Sequence, residues 1–189
     1  VIDEVIKSYL RDFHKHEVDF KPIFLVNDIL RYWKTLCLNY EHKRNRMVSG
    51  EMKEYEVAAI KIKAHKKNLK LQFSRKLTCF SFILSLVNDY VDKKISIGHE
   101  TIKRIVVQKP IEVFLNLRSD KRVKEEVEKS LELYTYFLDL SKKDDSWIEN
   151  KKNRDEAFTK SREFGNCIYN ILINLIGDTK TEILKYIVL

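Results

Sequence analysis

Apolar residues recur every three or four positions over most of the chain, and this spacing predicts a succession of amphipathic helices. Asp3 and Glu4 suit the positive end of a first short helix. Pro22 occupies a favoured first-turn position and predicts a second helix from Ile23 to about Lys43. Its apolar stripe consists of Ile23, Val26, Leu30, Trp33, Cys37 and Tyr40. These positions fall on one side of the helix, which we expect to face a core.

The same spacing continues towards the end of the chain. Further helices are predicted at 69–91, 99–117, 119–140 and 157–176, with a short last one after Gly177. The fourth helix is expected to kink at Pro110, and residues 44–67 are expected to form a basic loop or short-helix insertion. Residues 1–189 therefore predict a single all-α domain, a bundle of six to seven helices without a significant sheet. The residues expected to point inwards between the second and third helices are Trp33, Cys37, Phe73 and Phe80.

The amino-acid composition excludes several fold classes and several kinds of binding site. The 189 residues include only four Gly and two Pro, too few for the turns of a sandwich, a barrel or a βαβ array. The glycines stand alone, so no Gly-rich phosphate loop exists. Three widely spaced cysteines without a CxxC pattern predict reduced core thiols and a cytoplasmic protein. No apolar stretch is long enough to span a bilayer, so no membrane partner is expected.

Positive charge points to an anionic partner. Lys and Arg number 36 against 28 Asp and Glu, which gives a formal net charge of +8. Two predicted helix faces carry basic and hydroxyl side chains that could line a groove for phosphate oxygens. On these faces lie Asn27, Arg31 and Lys34 of the second predicted helix and Lys70, Ser74, Arg75 and Lys76 of the third. The alternative interpretation is that these charges form the solvated faces of a basic bundle.

Two blocks of sequence carry a resemblance. The first runs from Phe24 to Glu41 and contains Asn-Asp-x-x-Arg-Tyr-Trp; the second runs from Asn68 to Leu77 and contains Phe-Ser-Arg-Lys. They resemble, in the same order, helices of bacterial nucleotidyltransferase-domain proteins of the DNA polymerase β superfamily. In that family these helices follow the catalytic head and help to hold the incoming nucleotide or the acceptor. The resemblance implies a transferase that binds a nucleotide or a nucleic acid. It also implies the candidate nucleotide- or phosphate-binding residues: Arg31, Lys34, Lys70, Arg75 and Lys76 facing the phosphates, with Ser74 and Asn27 as polar support.

The chain departs from that family in the residues of catalysis. Family members hold two Mg²⁺ ions with an Asp-x-Asp or Asp-x-Glu pair, but no Asp of this chain has Asp or Glu two residues later. We therefore expect no catalytic residue, metal or cofactor here, with Mg²⁺ confined to a catalytic head outside this sequence. The chain, which starts mid-pattern at Val1, would be an accessory helical domain that follows such a head. The alternative is a stand-alone basic helical module that binds RNA or DNA.

Three further patterns are weaker indicators of function. Arg11 and His16 match the Arg-x4-His spacing of HEPN-type ribonucleases, in which His acts as a base and Arg stabilises the phosphorane. His14, His16 and Glu17 are close in sequence, but positions i and i+2 point to different helix faces, which disfavours a metal site. The aromatic residues near Arg31 could stack on a base, although bundle core is the more common role for such residues.

Overall fold

The computed structural model describes residues 1–17, 20–46, 54–93 and 97–177, and in these ranges the chain is helical without any strand. The all-α fold is thereby confirmed. The elements are α1 (Ile2–Tyr9), a 3₁₀ turn (Phe13–Lys15), α2 (Ile23–Arg46), α3 (Glu54–Lys70), a π-helical segment (Leu71–Arg75), α4 (Lys76–Lys93), α5 (His99–Val107), α6 (Pro110–Leu117), α7 (Lys124–Ser141), α8 (Ser146–Glu149) and α9 (Lys151–Ile176).

The main core lies where α4, α6, α7 and α9 pack together. Phe73 of the π-helical segment is fully buried there, with its ring stacked on Phe137 at 4.8 Å between centroids and tilted against Phe164 at 5.1 Å. Such aromatic pairs add to the free energy gained by burial. Of the four residues expected to point inwards, Phe73 is fully buried, whereas Trp33, Cys37 and Phe80 are half-buried.

A second, smaller core joins α1 and α5 to the other side of α4. Its buried side chains are Ile6, Leu10, Leu86, Ile97, Ile102 and Ile105. Because α1 carries few buried residues, its attachment also uses the Tyr9 hydroxyl, which donates a hydrogen bond to Asp28 of α2 at 2.8 Å.

Local signals explain most helix boundaries. Pro110 divides the fourth predicted helix completely, into α5 and α6, because a proline has no backbone N–H to donate. Gly177 ends α9 with a φ of +52°, a conformation that costs glycine little. Asn150 caps the start of α9, where its side-chain oxygen accepts from two backbone N–H groups. The helix predicted from residue 119 begins only at Lys124: Asp120 pairs with Arg122 in a turn before it.

The region between the second and fourth predicted helices differs most from expectation. Helix α3 begins at Glu54, and α3, the π-helical segment and α4 follow one another without interruption to Lys93. The expected insertion at 44–67 is therefore mostly regular helix where it is described. Residues 47–53, and the short helix expected after Gly177, lie outside the described residues. Within the described part, no helix is both long and apolar enough to cross a membrane.

Candidate phosphate-binding cleft

A cleft of about 400 Å³ lies between the C-terminal half of α2 and the junction of α3 with the π-helical segment. We call it the basic cleft. It is lined by Leu36, Asn39, Tyr40, Lys43, Arg44, Ala64, Lys67, Lys70, Leu71 and Arg75. Half of these described residues are positively charged and none of them is acidic.

Helical spacing brings these side chains together. On α2, Leu36, Tyr40 and Lys43 are four and three residues apart, so they lie on one face of the helix. On α3, Lys67 and Lys70 are three residues apart and share a face in the same way. Leu71 is buried and anchors this wall of the cleft, while Lys70 and Arg75 on either side of it are exposed.

Most of the positive charges in the basic cleft have no compensating carboxylate among the residues that the structure describes. Arg44 pairs with Glu41 at 2.6 Å across one turn of α2. The cations Lys43, Lys67, Lys70 and Arg75 form no ion pair with any carboxylate that the structure describes. Like charges held in one cleft repel each other, and an anion bound between them would relieve that repulsion.

The structure separates Arg31 and Lys34 from this cleft. Neither residue lines it, and the expected convergence of Arg31 and Lys34 with Lys70 and Arg75 is not what the structure shows. The reason is geometric: at about 100° of rotation per residue, both positions lie roughly 150° or more from the centre of the cleft-facing stripe of α2. The Arg31 guanidinium instead donates to Asp28 at 2.8 Å.

Asp28 connects this outer face of α2 to α1. It accepts a hydrogen bond from Tyr9 and one from Arg31, and these two contacts lower the pKa of its carboxyl group. Asn27, one residue earlier, is buried, and so it presents little surface to a ligand. Asn27 therefore belongs to the packing of α2, whereas Arg31 is an exposed residue of its outer face, and neither lines the basic cleft.

Lys76 follows Arg75 directly but faces a different cavity. This cavity, of about 800 Å³, lies between α2, α4 and α9, and we call it the apolar cleft. It is lined by Leu30, Trp33, Gln72, Lys76, Phe80, Ile83, Arg162, Gly165, Asn166, Ile168, Tyr169, Leu172 and Ile173. Ser74, which was also expected to support a phosphate, is half-buried, and its backbone carbonyl accepts from Thr78. It lines neither cleft.

Of the seven candidates from sequence, the structure thus brings only Lys70 and Arg75 together in the basic cleft. Lys43, Arg44 and Lys67 also line the cleft and were not among those seven candidates. For Lys67 the sequence carried a signal, because it stands three residues before Lys70 and shares a helix face with it.

The described residues offer little support for a metal site, a ribonuclease site at Arg11 and His16, or a reactive cysteine. They contain no group of three or more His, Cys, Asp or Glu side chains that could hold a metal ion. Arg11 and His16 are exposed and lie in the turn after α1, on either side of the 3₁₀ turn, instead of sharing a helix face. The thiol of Cys167 is buried, and burial raises its pKa to about 11, which keeps it protonated and unreactive at neutral pH.

Comparisons with known proteins do not identify the chain. No protein-family model, no curated protein and no solved structure matches it. The resemblance of 24–41 and 68–77 to nucleotidyltransferase helices consequently depends on those residues alone. The function is best argued from the basic cleft.

Proposed function

We propose that this chain is a helical module that binds the phosphates of a nucleic acid strand in the basic cleft. The observation that carries the proposal is the set of five cations, Lys43, Arg44, Lys67, Lys70 and Arg75, around one concave surface without an acidic lining residue. Lysine and arginine donate charge-assisted hydrogen bonds to phosphate oxygens, and these are stronger than neutral hydrogen bonds.

The neighbouring side chains favour a nucleotide unit over a simple anion. Tyr40 is half-buried in the wall of the cleft and offers an aromatic face for a base, while Asn39 is exposed and offers an amide for a base edge. The volume of about 400 Å³ falls within the usual range for a small ligand. The net charge of +8 would draw a polyanion towards the protein before it reaches the cleft.

A fuller form of the proposal makes the chain the accessory part of a nucleotidyltransferase. It is supported by the resemblance of the two blocks, since the second block, Asn68–Leu77, contains Lys70 and Arg75 of the basic cleft. In this form the cleft holds the nucleotide or the acceptor strand for a catalytic head outside this sequence. The chain by itself then transfers no nucleotide, because it lacks the carboxylate pair that would hold Mg²⁺.

The salt dependence of RNA binding tests the proposal. A fluorescent single-stranded oligonucleotide is titrated with the purified chain at several salt concentrations, and binding is followed by anisotropy. Each phosphate neutralised contributes about −0.7 to the slope of log K against log salt for a single strand. The double variant Lys67→Gln/Lys70→Gln should therefore bind more weakly, with a slope that is shallower by roughly 1.4.

A matched control separates the cleft from net charge. Lys121→Gln/Lys124→Gln removes the same charge from two exposed lysines around the start of α7, a helix that packs mainly against α6 and α9. This control should leave the affinity nearly unchanged. Equal losses for the two double variants would mean that binding follows net charge, and the proposal would be wrong. Tight binding of UTP without binding of the oligonucleotide would overturn the proposal of a strand and would indicate that the cleft holds a free nucleotide.

Nucleotide transfer is tested separately. The chain is incubated with each labelled nucleoside triphosphate, Mg²⁺ and RNA, and we expect no label on the protein or the RNA. Robust transfer by the purified chain would overturn the accessory role, although it would leave the strand-binding proposal intact.

A further inference from the structure

The apolar cleft has the properties of a small-molecule site. Its volume of about 800 Å³ is suited to a drug-sized ligand. Its walls are mainly apolar, with aromatic rings from Trp33 and Phe80, which lie edge to face at 6.1 Å between centroids. Tyr169, which is largely exposed, and Leu172 form the α9 side.

Two cations, Lys76 and Arg162, line this cleft, and none of its lining residues is acidic. The Lys76 ammonium donates to the side-chain oxygen of Gln72 at 2.9 Å and lies 5.8 Å from the centre of the Trp33 ring. Arg162 donates to the Thr159 hydroxyl at 3.0 Å. Neither cation has an ion pair with a carboxylate in the part of the chain that the structure describes.

Gly165 allows the Lys76 ammonium to enter the cleft. A Cβ atom at position 165 would lie only 2.8 Å from Lys76 Nζ, so a larger residue there would require the flexible end of the Lys76 side chain to shift. The position is in the interior of α9, where glycine is less favourable than alanine by roughly 0.8–1.0 kcal/mol. The absence of a side chain at position 165 leaves room for the ammonium.

Burial of this ammonium is unfavourable in the free protein. It lowers the pKa of Lys76, because the surrounding apolar side chains favour the neutral amine. A neutral hydrogen-bond partner and an aromatic face compensate such a charge only in part. A bound anion would supply the missing opposite charge, and its apolar body would cover the cleft walls.

We propose that the apolar cleft binds a small organic anion whose flat apolar body packs against Trp33 and Phe80 and whose acidic group is held by Lys76 and Arg162. The proposal does not depend on the proposed function, since the two clefts share no lining residue. It assigns Lys76, which sequence reasoning placed with the phosphate-binding residues, to a second and chemically different site.

A pair of dyes tests the proposal. Anilinonaphthalene sulfonate carries a naphthalene body and one sulfonate, and N-phenyl-1-naphthylamine has the same rings without the charge. Titration of the purified chain, followed by dye fluorescence, should show one site per chain for the sulfonate. The variant Lys76→Met keeps the length of the side chain and removes its charge. It should weaken the sulfonate about tenfold, the equivalent of about 1.4 kcal/mol, and leave the uncharged dye within about twofold.

Two further variants define the site. Leu172→Trp adds volume inside the cleft and should weaken both dyes, whereas Lys70→Gln removes a cation from the basic cleft and should affect neither. Circular dichroism melting confirms that each variant folds. The proposal is overturned if Lys76→Met leaves sulfonate affinity unchanged, if it weakens both dyes equally, or if the sulfonate binds many sites without saturation.

Discussion

The basic cleft and the apolar cleft meet at the π-helical segment, and they place positive charge in opposite environments. Arg75 is exposed among other cations in the basic cleft, whereas Lys76, the next residue, is half-buried among aromatic and aliphatic side chains. In the basic cleft, repulsion between like charges in solvent makes the unfavourable contribution to the free energy, and salt screens it. In the apolar cleft, the unfavourable contribution is the loss of hydration of one charge, which salt hardly changes. The two clefts should therefore select different anions: a polyanion in the first and an apolar anion in the second.

The largest expected effect concerns the core beneath both clefts. Phe73→Ala should lower the free energy of unfolding by about 3–5 kcal/mol, because it leaves a cavity between Phe137 and Phe164. Phe80→Ala, on the half-buried rim of the apolar cleft, should cost distinctly less. Urea denaturation measures both changes. Equal losses would show that the rim is as tightly packed as the core.

The charge of Lys76 gives the next effect. Lys76→Met should raise the free energy of unfolding at neutral pH by on the order of 1 kcal/mol, because the variant no longer buries a charge. The folded chain has the lower Lys76 pKa, so the unfolded chain holds more protons between that pKa and the ordinary value of 10.5. The stability of the native chain therefore rises with pH in this window, and the advantage of the variant shrinks as pH approaches and exceeds 10.5. Urea titrations at several pH values check this; an advantage that grows with pH would contradict it.

The contact between Lys76 and Gly165 can be isolated by a double-mutant cycle. In a Lys76→Ala background, Gly165→Ala should stabilise the chain by roughly 0.8–1.0 kcal/mol, the ordinary gain for a helix interior. In the native background the gain should be smaller or reversed, because the added Cβ would lie 2.8 Å from Lys76 Nζ. Identical gains in the two backgrounds would mean that the ammonium moves aside without cost, and that glycine is not needed for its placement.

The smallest effect is expected at Arg31. Arg31→Ala removes an exposed ion pair with Asp28 and should cost about 0.2–1 kcal/mol. Because Arg31 does not line the basic cleft, RNA affinity should stay within about twofold, and Lys34→Ala serves as a control for loss of a nearby exposed charge. A large loss of RNA affinity in Arg31→Ala alone would extend the binding surface beyond the basic cleft to the outer face of α2.

The all-α fold could be predicted from apolar spacing and from the scarcity of glycine and proline. Boundaries at Pro22 and Gly177 also followed, because each depends on the backbone chemistry of one residue. Pro110 was expected only to kink a helix, which it instead divides in two. The π-helical segment was not predictable in this way. Its i to i+5 hydrogen bonds change the rotation per residue, so a constant 3.6-residue period misplaces side chains on either side of it.

The structure divides four of the candidate residues, Lys70, Ser74, Arg75 and Lys76, between two clefts and a half-buried position. On a regular helix Arg75 would lie about 140° from Lys70, whereas the π-helical segment between them reduces this offset, and both residues line the basic cleft. Arg31 lies outside the basic cleft for a different reason. Its angular offset from Tyr40 and Lys43 around α2 could be predicted from helical rotation, but the position of α3 opposite those two residues could be known only from the tertiary fold.

Independence of the two clefts is the central claim, and a competition titration tests it most directly. The chain is first saturated with the single-stranded oligonucleotide and is then titrated with anilinonaphthalene sulfonate. The account predicts a sulfonate affinity within about twofold of that of the free chain, because two sites without coupling bind independently. A sulfonate affinity that falls in proportion to the oligonucleotide concentration would contradict the account, since it would show that both anions compete for one site.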